Sequence, residues 1–308
     1  MKHLLKISDL TRDEFDALMK LTERLKKEQK QGIEHHILKG KTLGMIFSKS
    51  STRTRVSFET GMYQLGGQAL FLSSNDIQLG RGESIYDTAN VLSRFIDGIM
   101  IRTFKQSDVE DLAKYGQIPV INGLTDDHHP CQVLADLFTI YEHKGTLEGI
   151  KLAYIGDGNN MANSLMEVCA LAGVDFSIAT PKGYESNKEI TEGALKTASK
   201  YGSKIDISND PVRAIKDADV VYADTWVSMG QEEEKAERLK IFMPYQINKE
   251  LWSNAKDDAI FLHCLPAYRG YEVTEDIIDS PCSVIFDEAE NRLHAQKAVM
   301  AAVMGGAI

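Results

Sequence analysis

The chain alternates between short apolar runs and stretches whose apolar positions return every third or fourth residue, the two periods of strand and amphipathic helix. It opens on the second pattern. Phe15, Leu18, Met19, Thr22 and Leu25 line one side of the segment 9–31, and Thr11 followed by Glu14 writes a capping box at its start. The strand TLGMIF (42–47) then leads to a helix from Thr52 to Leu65, and the strand QALFLS (68–73) to a helix over 84–95. The strand GIMIR (98–102) leads to a helix near 107–115, and the strand IPVIN (118–122) to a helix over 131–143. Such a βα rhythm predicts a parallel sheet covered by helices.

The segment HKGTLEG (143–149) is polar and bracketed by glycines, and a second βα series begins after it with KLAYIG (151–156). We place a domain boundary there, giving domains 1–145 and 146–308. Further strands are expected near 175–179, 204–208, 219–223, 259–262 and 283–286, with a last helix over about 288–303. The expected class is α/β: two doubly wound parallel-sheet domains, the C-terminal helix packing back toward the N-terminal domain. Ligands of such sheets bind outside the carboxyl ends of the strands, so the strand-end loops are where chemistry is sought.

Composition narrows the function classes. With 308 residues, 43% hydrophobic and 26% charged, the chain is long enough for two cores and is neither disordered nor fibrous. A net charge of −10 argues against a broad nucleic-acid or anionic-lipid surface, so any anion must be met by a local cluster. There is no long apolar run and no apolar signal region after Met1, so no membrane segment is expected and the cytoplasm is the expected location. Cys131, Cys169, Cys264 and Cys282 are widely spaced, and only Cys264 has an adjacent histidine, His263. Free thiols and no metal are expected.

After the first strand the chain reads Ser48, Lys49, Ser50, Ser51, Thr52, Arg53, Thr54, Arg55 before entering a helix. That order sets free backbone N–H groups, a helix N-terminus and guanidinium forks around one point, which suits a phosphate. The bland alternative makes the hydroxyls mere caps and the arginines a solvated face. No Walker A loop is present, so a nucleoside triphosphate is not implied. In the second half, GDGNN (156–160) follows a strand and opens a helix, but Met161 stands where a dinucleotide fingerprint needs its third glycine.

Five motifs occur together: the run from Phe47 to Arg55, DIQLGRGES (76–84), HPCQ (129–132), DTWVSMG (224–230) and HCLP (263–266). In this set and order the whole chain resembles the aspartate/ornithine carbamoyltransferase family. The resemblance implies transfer of a carbamoyl group from carbamoyl phosphate to an amine, with no cofactor. It implies that Ser51, Thr52, Arg53 and Thr54 hold the phosphate, that Arg102 and His129 donate to the carbamoyl oxygen, and that Gln132 meets the carbamoyl amide. Cys264, Leu265 and Arg292 would complete that subsite, and Gln78 would reach it from a neighbouring subunit of a homotrimer or an assembly of trimers. Asn160, Asp224, Ser228 and Met229 would bind the amine substrate. Arg102, His129, Asp224 and Cys264 are thus the candidate catalytic groups.

Charge selects the amine. Aspartate would need a second cationic clamp in the second domain, whereas ornithine's amines suit an acceptor such as Asp224. L-Ornithine is the expected substrate, with putrescine and an acetylated ornithine as alternatives. A nucleophilic Cys264 is disfavoured because no His/Asn partner pattern accompanies it. A non-catalytic phosphate-binding regulator would have no use for HPCQ, Asp224 and HCLP together.

Overall fold

A computed structural model describes residues 1–308 except positions 80 and 232; Gly80, inside the DIQLGRGES motif, therefore lies outside the described residues. The chain forms two compact units, Met1–Phe138 with Glu290–Ile308, and Thr139–Ala289. The first is built on the parallel strands β1 (Thr42–Phe47), β2 (Gln68–Ser73), β3 (Gly98–Arg102) and β4 (Val120–Leu124), in the order β2-β1-β3-β4. Its helices are α1 (Arg12–Lys30), α2 (Thr52–Gln64), α3 (Ile85–Leu92), α4 (Gln106–Tyr115) and the start of α5 (Pro130–Lys144). The capping box expected at Thr11 is formed. Glu14 N–H donates to Thr11 Oγ1 (3.2 Å), and Thr11 N–H donates to Glu14 Oε2 (2.9 Å). Ile46, Ile99, Ile101 and Val120 pack against Ala89, Val109 and Leu112 of α3 and α4.

The second unit carries β5 (Lys151–Ile155), β6 (Asp175–Ala179), β7 (Ile205–Ser208), β8 (Val220–Ala223) and β9 (Ile260–His263), all parallel, in the order β7-β6-β5-β8-β9. The helices α6 (Asn160–Ala172), α7 (Lys188–Tyr201), α8 (Pro211–Ile215), α9 (Lys235–Phe242), α10 (Lys249–Trp252) and α11 (Glu275–Ile278) follow in turn. Ala153, Ile155, Val221 and Phe261 form one core with Ile215, Ile247 and Ile277. In each sheet the strand order reverses beside the first strand, between β1 and β3 and between β5 and β8. Those two switch points open crevices at the carboxyl ends of the strands.

Two expectations need correction. The run 283–286 is not a strand: Ser283 makes one bridge to Phe261, and the last helix, α12 (Ile285–Gly305), starts two residues later. Asp287 and Glu288 in its first turn favour the helix N-terminus over continued extension. The strand expected over 118–122 runs over Val120–Leu124, because Pro119 lacks an N–H for the ladder and Gly123 continues it. A Cβ at Gly123 would lie 2.5 Å from Met100 Sδ, so the glycine serves close approach to β3 and not a turn. No helix among the described residues is long and apolar enough to cross a membrane.

Within the first unit α12 packs on α2 at Gly61, where a Cβ would meet Met300 Cε at 2.8 Å. One of its buried residues gives a stability prediction. Burial pushes His294 down to about 4, although Glu290, 3.2 Å away, pulls the other way. The fold holds this imidazole neutral while the unfolded chain takes up a proton below about 6.5, so its contribution is fully present above pH 6.5 and is lost as pH falls toward 4. Replacing His294 with Gln is expected to reduce the stability lost between pH 7.5 and pH 5 by about 2 kcal/mol, read by urea unfolding. An unchanged pH loss would contradict the assignment.

Candidate active site

The first unit's crevice is built from β1 and β3. Ser51 is the N-cap of α2, its hydroxyl accepting from Thr54 N–H (3.2 Å), so the S-T-R-T turn is the helix N-terminus itself. Thr52 is exposed, Arg53 half-buried and Thr54 buried. Lys49 ties this turn to the loop before His129 by an ion pair with Asp126, and stacks over the Phe104 ring at 4.3 Å. Arg102 ends β3, where the β3–β4 register shifts, and the Ser48 N–H donates to its carbonyl (2.8 Å).

His129 stands where these charges converge. It is buried, and burial first, then Arg292, Arg102 and Arg53, drive its pKa well below the ordinary 6.5. A fourth cation among three guanidinium groups is penalised, so the imidazole stays neutral and has one N–H to donate. Arg292 extends into the same cluster from α12: Nη1 donates to Gln132 Oε1 (2.5 Å) and Nη2 to Thr54 Oγ1 (3.4 Å). Five of the expected residues, Arg53, Thr54, Arg102, Gln132 and Arg292, are thereby gathered around His129.

Three residues of this cluster were not anticipated. Asp136 accepts from Gln132 Nε2 (2.8 Å). Gln296, its amide turned so that the nitrogen faces Ser57, donates to Ser57 Oγ (2.5 Å) and accepts from Arg292 Nε (3.0 Å) and Nη2 (2.7 Å). Ser57 in turn donates to the Arg53 carbonyl (2.6 Å), one turn back on α2. The signals were faint: Asp136 sits four residues beyond Gln132, on one helix face. Cys131 inside HPCQ is structural, its thiol pushed up to about 12 by burial. Gln78 is not part of this cluster; it is exposed, and its side chain hydrogen-bonds to none of the described residues.

The second unit's crevice centres on a carboxylate. Asp224 follows β8, and its oxygens accept from Asn159 Nδ2 (2.7 Å), Thr225 N–H (2.7 Å) and the Cys264 thiol (3.2 Å). Asn159, next to the expected Asn160, is the N-cap of α6, accepting from the Met161 and Ala162 N–H groups. Asn160 is the first residue of that helix. Gly158 of GDGNN is there for packing, since a Cβ would lie 2.3 Å from the backbone of Glu185. Its neighbour Asp157 pairs with buried Arg238, and burial nevertheless holds the carboxyl up to about 6. Arg238 Nε also donates to the Trp226 carbonyl (2.6 Å), anchoring the loop that carries Ser228 and Met229. Met229, at 48% exposed, projects from that loop.

The HCLP turn is held from beneath by two buried glutamates. Glu288 accepts the His263 N–H (2.8 Å), and Glu272 pairs with His263 Nε2 (3.1 Å) and accepts Tyr268 N–H (2.6 Å). His263 Nδ1 accepts from Leu265 N–H (2.9 Å), and Leu265 takes a left-handed φ of 56°. Asp224, His263 and Cys264 bring ligand-type atoms within 4.8 Å of one another. Both imidazole nitrogens are already engaged, so His263 has no lone pair to turn toward a cation. None of the four cysteines forms a disulfide.

Fold and clusters define a two-domain α/β protein with a cationic crevice on one unit and a carboxylate-centred crevice on the other. The chain belongs to the aspartate/ornithine carbamoyltransferase family: its carbamoyl-P binding domain model matches residues 2–142 and its Asp/Orn binding domain model residues 148–303. The ornithine carbamoyltransferase of Thermococcus kodakarensis is 58% identical over 305 residues, covering 99% of this chain and 97% of that protein. That of Caldicellulosiruptor saccharolyticus is 59% identical over 308 residues, with full coverage of both. The solved ornithine carbamoyltransferase of Pyrococcus furiosus matches with a TM-score of 0.96 at 56% identity, over 99% of this chain and 97% of that one.

Proposed function

We propose that this chain transfers the carbamoyl group of carbamoyl phosphate to the δ-amine of L-ornithine, giving L-citrulline and phosphate. The observation that carries the reading is the neutral His129 ringed by Arg53, Arg102 and Arg292, at the switch point of a parallel sheet. A dianionic leaving group and a polarised carbonyl need that combination of fixed positive charge and a neutral donor. In the reaction the δ-nitrogen forms a bond to the carbonyl carbon, the C–O bond to phosphate breaks, and one N–H proton is released.

The S-T-R-T turn receives the phosphate through helix N–H groups, hydroxyls and Arg53, contacts that strengthen as charge collects on the departing group. Arg102 and His129 donate to the carbonyl oxygen, while Gln132, Leu265 and Arg292 orient the carbamoyl end. Asn160, Ser228 and Met229 take the amino-acid end of ornithine, and Asp224 its α-ammonium, with Cys264 beside the attacking amine. The test is a citrulline colour assay with ornithine, putrescine, N-acetylornithine and aspartate offered separately. Carbamoylation of ornithine alone supports the reading, and turnover of putrescine at a comparable rate overturns it.

The working assembly is a homotrimer, in keeping with the exposed apolar side chains of the first unit's edge. Strand β2 is an edge strand that exposes Leu70 and Phe71, and Tyr63 on α2 is 82% exposed. Gln78 follows that strand and serves a neighbouring subunit's phosphate site. Mixing an inactive Gln78→Ala variant with an inactive Arg53→Ala variant is therefore expected to restore part of the activity through hybrid trimers. No recovery after verified subunit exchange would exclude a shared site. The proposed compartment is the cytoplasm, and the proposed role is arginine biosynthesis; the Pyrococcus furiosus relative bears the name anabolic ornithine carbamoyltransferase.

A further inference from the structure

Gln132 and Asp136 stand one turn apart on α5, so their side chains leave the same face of the helix. Asp136 is 0% exposed and Gln132 1%. The Gln132 amide is gripped at both ends, Nε2 donating to Asp136 Oδ1 (2.8 Å) and Oε1 accepting from Arg292 Nη1 (2.5 Å). A carboxylate accepts and a guanidinium donates, so only one orientation of the amide satisfies both. Turning it over would set NH2 against guanidinium and oxygen against carboxylate in a buried setting, where unmatched polar contacts weigh most. The oxygen is therefore fixed toward Arg292.

The helix N-terminus, Arg53, Arg102 and His129 address a phosphate and a carbonyl oxygen, and every small acyl phosphate has both. Acetyl phosphate differs from carbamoyl phosphate only in carrying CH3 where the latter carries NH2. An NH2 group is a donor and requires an acceptor facing it. We propose that Asp136 is a specificity-determining positioning residue: by holding the nitrogen of the Gln132 amide, it keeps the oxygen turned as the acceptor for the substrate's NH2 and makes the site choose carbamoyl over acetyl. This rests on the reading that Gln132 meets the carbamoyl amide.

The test compares Asp136→Leu, which removes the acceptor, with Asp136→Asn, which keeps an acceptor oxygen but not the charge. Binding of carbamoyl phosphate and of acetyl phosphate is measured by calorimetry without amine, so that turnover plays no part. The parent is expected to prefer carbamoyl phosphate by about 10-fold or more, the scale of one buried hydrogen-bond group left unmatched. Asp136→Leu is expected to weaken carbamoyl phosphate by about 10-fold and acetyl phosphate by less than about 3-fold, bringing the two together. Asp136→Asn is expected to recover most of the preference. Asp136→Ala is run beside Leu, so that a folding failure of one leaves the ratio measurable on the other.

Gln132→Met supplies the control. It should abolish the preference alone, and adding Asp136→Leu should change the ratio no further, because the two residues act through one amide. Equal losses for both ligands in Asp136→Leu, or a ratio that still falls on the Gln132→Met background, would reduce Asp136 to a structural residue and overturn the proposal. An Asn variant that behaves as Leu does would overturn it too, by showing that charge and not orientation matters. If the parent itself shows no preference, the assignment of Gln132 to the carbamoyl amide fails, a result distinct from failure of Asp136 alone.

Discussion

Replacing Arg53 with Ala is expected to lower kcat by about 100-fold or more at saturating carbamoyl phosphate, in addition to raising KM for that substrate. Two features argue for a loss in kcat. Arg53 sits in the first turn of α2, where its guanidinium adds to the N–H groups freed by the helix start and to the Ser51–Thr54 cap. Its charge also reaches His129, so it belongs to the same field as Arg102 and Arg292. The leaving phosphate gains negative charge as the C–O bond breaks, and a charge-assisted contact that tightens along that path lowers the barrier more than it stabilises the bound substrate. Uniform binding would appear only in KM. A variant that keeps near-parental turnover at saturation would place Arg53 outside the phosphate subsite.

The fold was largely legible because most strands of the two sheets are compact apolar runs followed by a helical period; β7, Ile205–Ser208, is an exception. β1, β2, β3 and β6 fall where the pattern puts them, and the capping box at Thr11 is formed. Two places misled for opposite reasons. At 283–286 a β-branched run was overridden by helix-favouring acidic residues immediately after it, and the strand expected to end at Asn122 runs on through Gly123, which lies against Met100. Strand order was not legible at all, since it depends on which helix crosses which face. Yet strand order makes the crevices, by placing β1 beside β3 and β5 beside β8.

Motif residues were readable wherever their chemistry appears in the local pattern. The residues that hold them were not. Gln296 and Glu288 are buried polar groups whose partners lie far along the chain: Gln296 with Ser57, and Glu288 with Tyr222 and His263. A sequence window offers no hint of such pairings, and an isolated Glu or Gln in a helix reads as surface. Asn159 is the exception, because an asparagine directly before a helical run is itself a capping signal. Asn159 is the residue that donates to Asp224.

Asp224→Asn is expected to raise KM for ornithine by about 100-fold or more, leave carbamoyl phosphate binding almost intact, and preserve the rise of rate with pH. Ornithine's δ-amine resembles that of lysine, with a pKa near 10.4, so at pH 7.5 the nucleophilic form lies about three units uphill, ~4 kcal/mol if the site gives no help. A carboxylate next to the δ-nitrogen would make this worse, because it would stabilise the unreactive ammonium. At the α-ammonium the same charge helps, fixing the substrate while the distal amine stays free to lose its proton. The geometry leaves room for that role: Asn159, Thr225 N–H and Cys264 occupy three acceptor directions of Asp224, and a carboxylate offers about four. Asparagine would remove the charge and set an NH2 group against either the Asn159 amide nitrogen or the donors on the other oxygen, so the amino-acid end of the substrate would be lost first. If the substitution instead abolished the pH dependence while ornithine still bound normally, Asp224 would be the acceptor of the δ-amine proton and its place at the α-ammonium would be wrong.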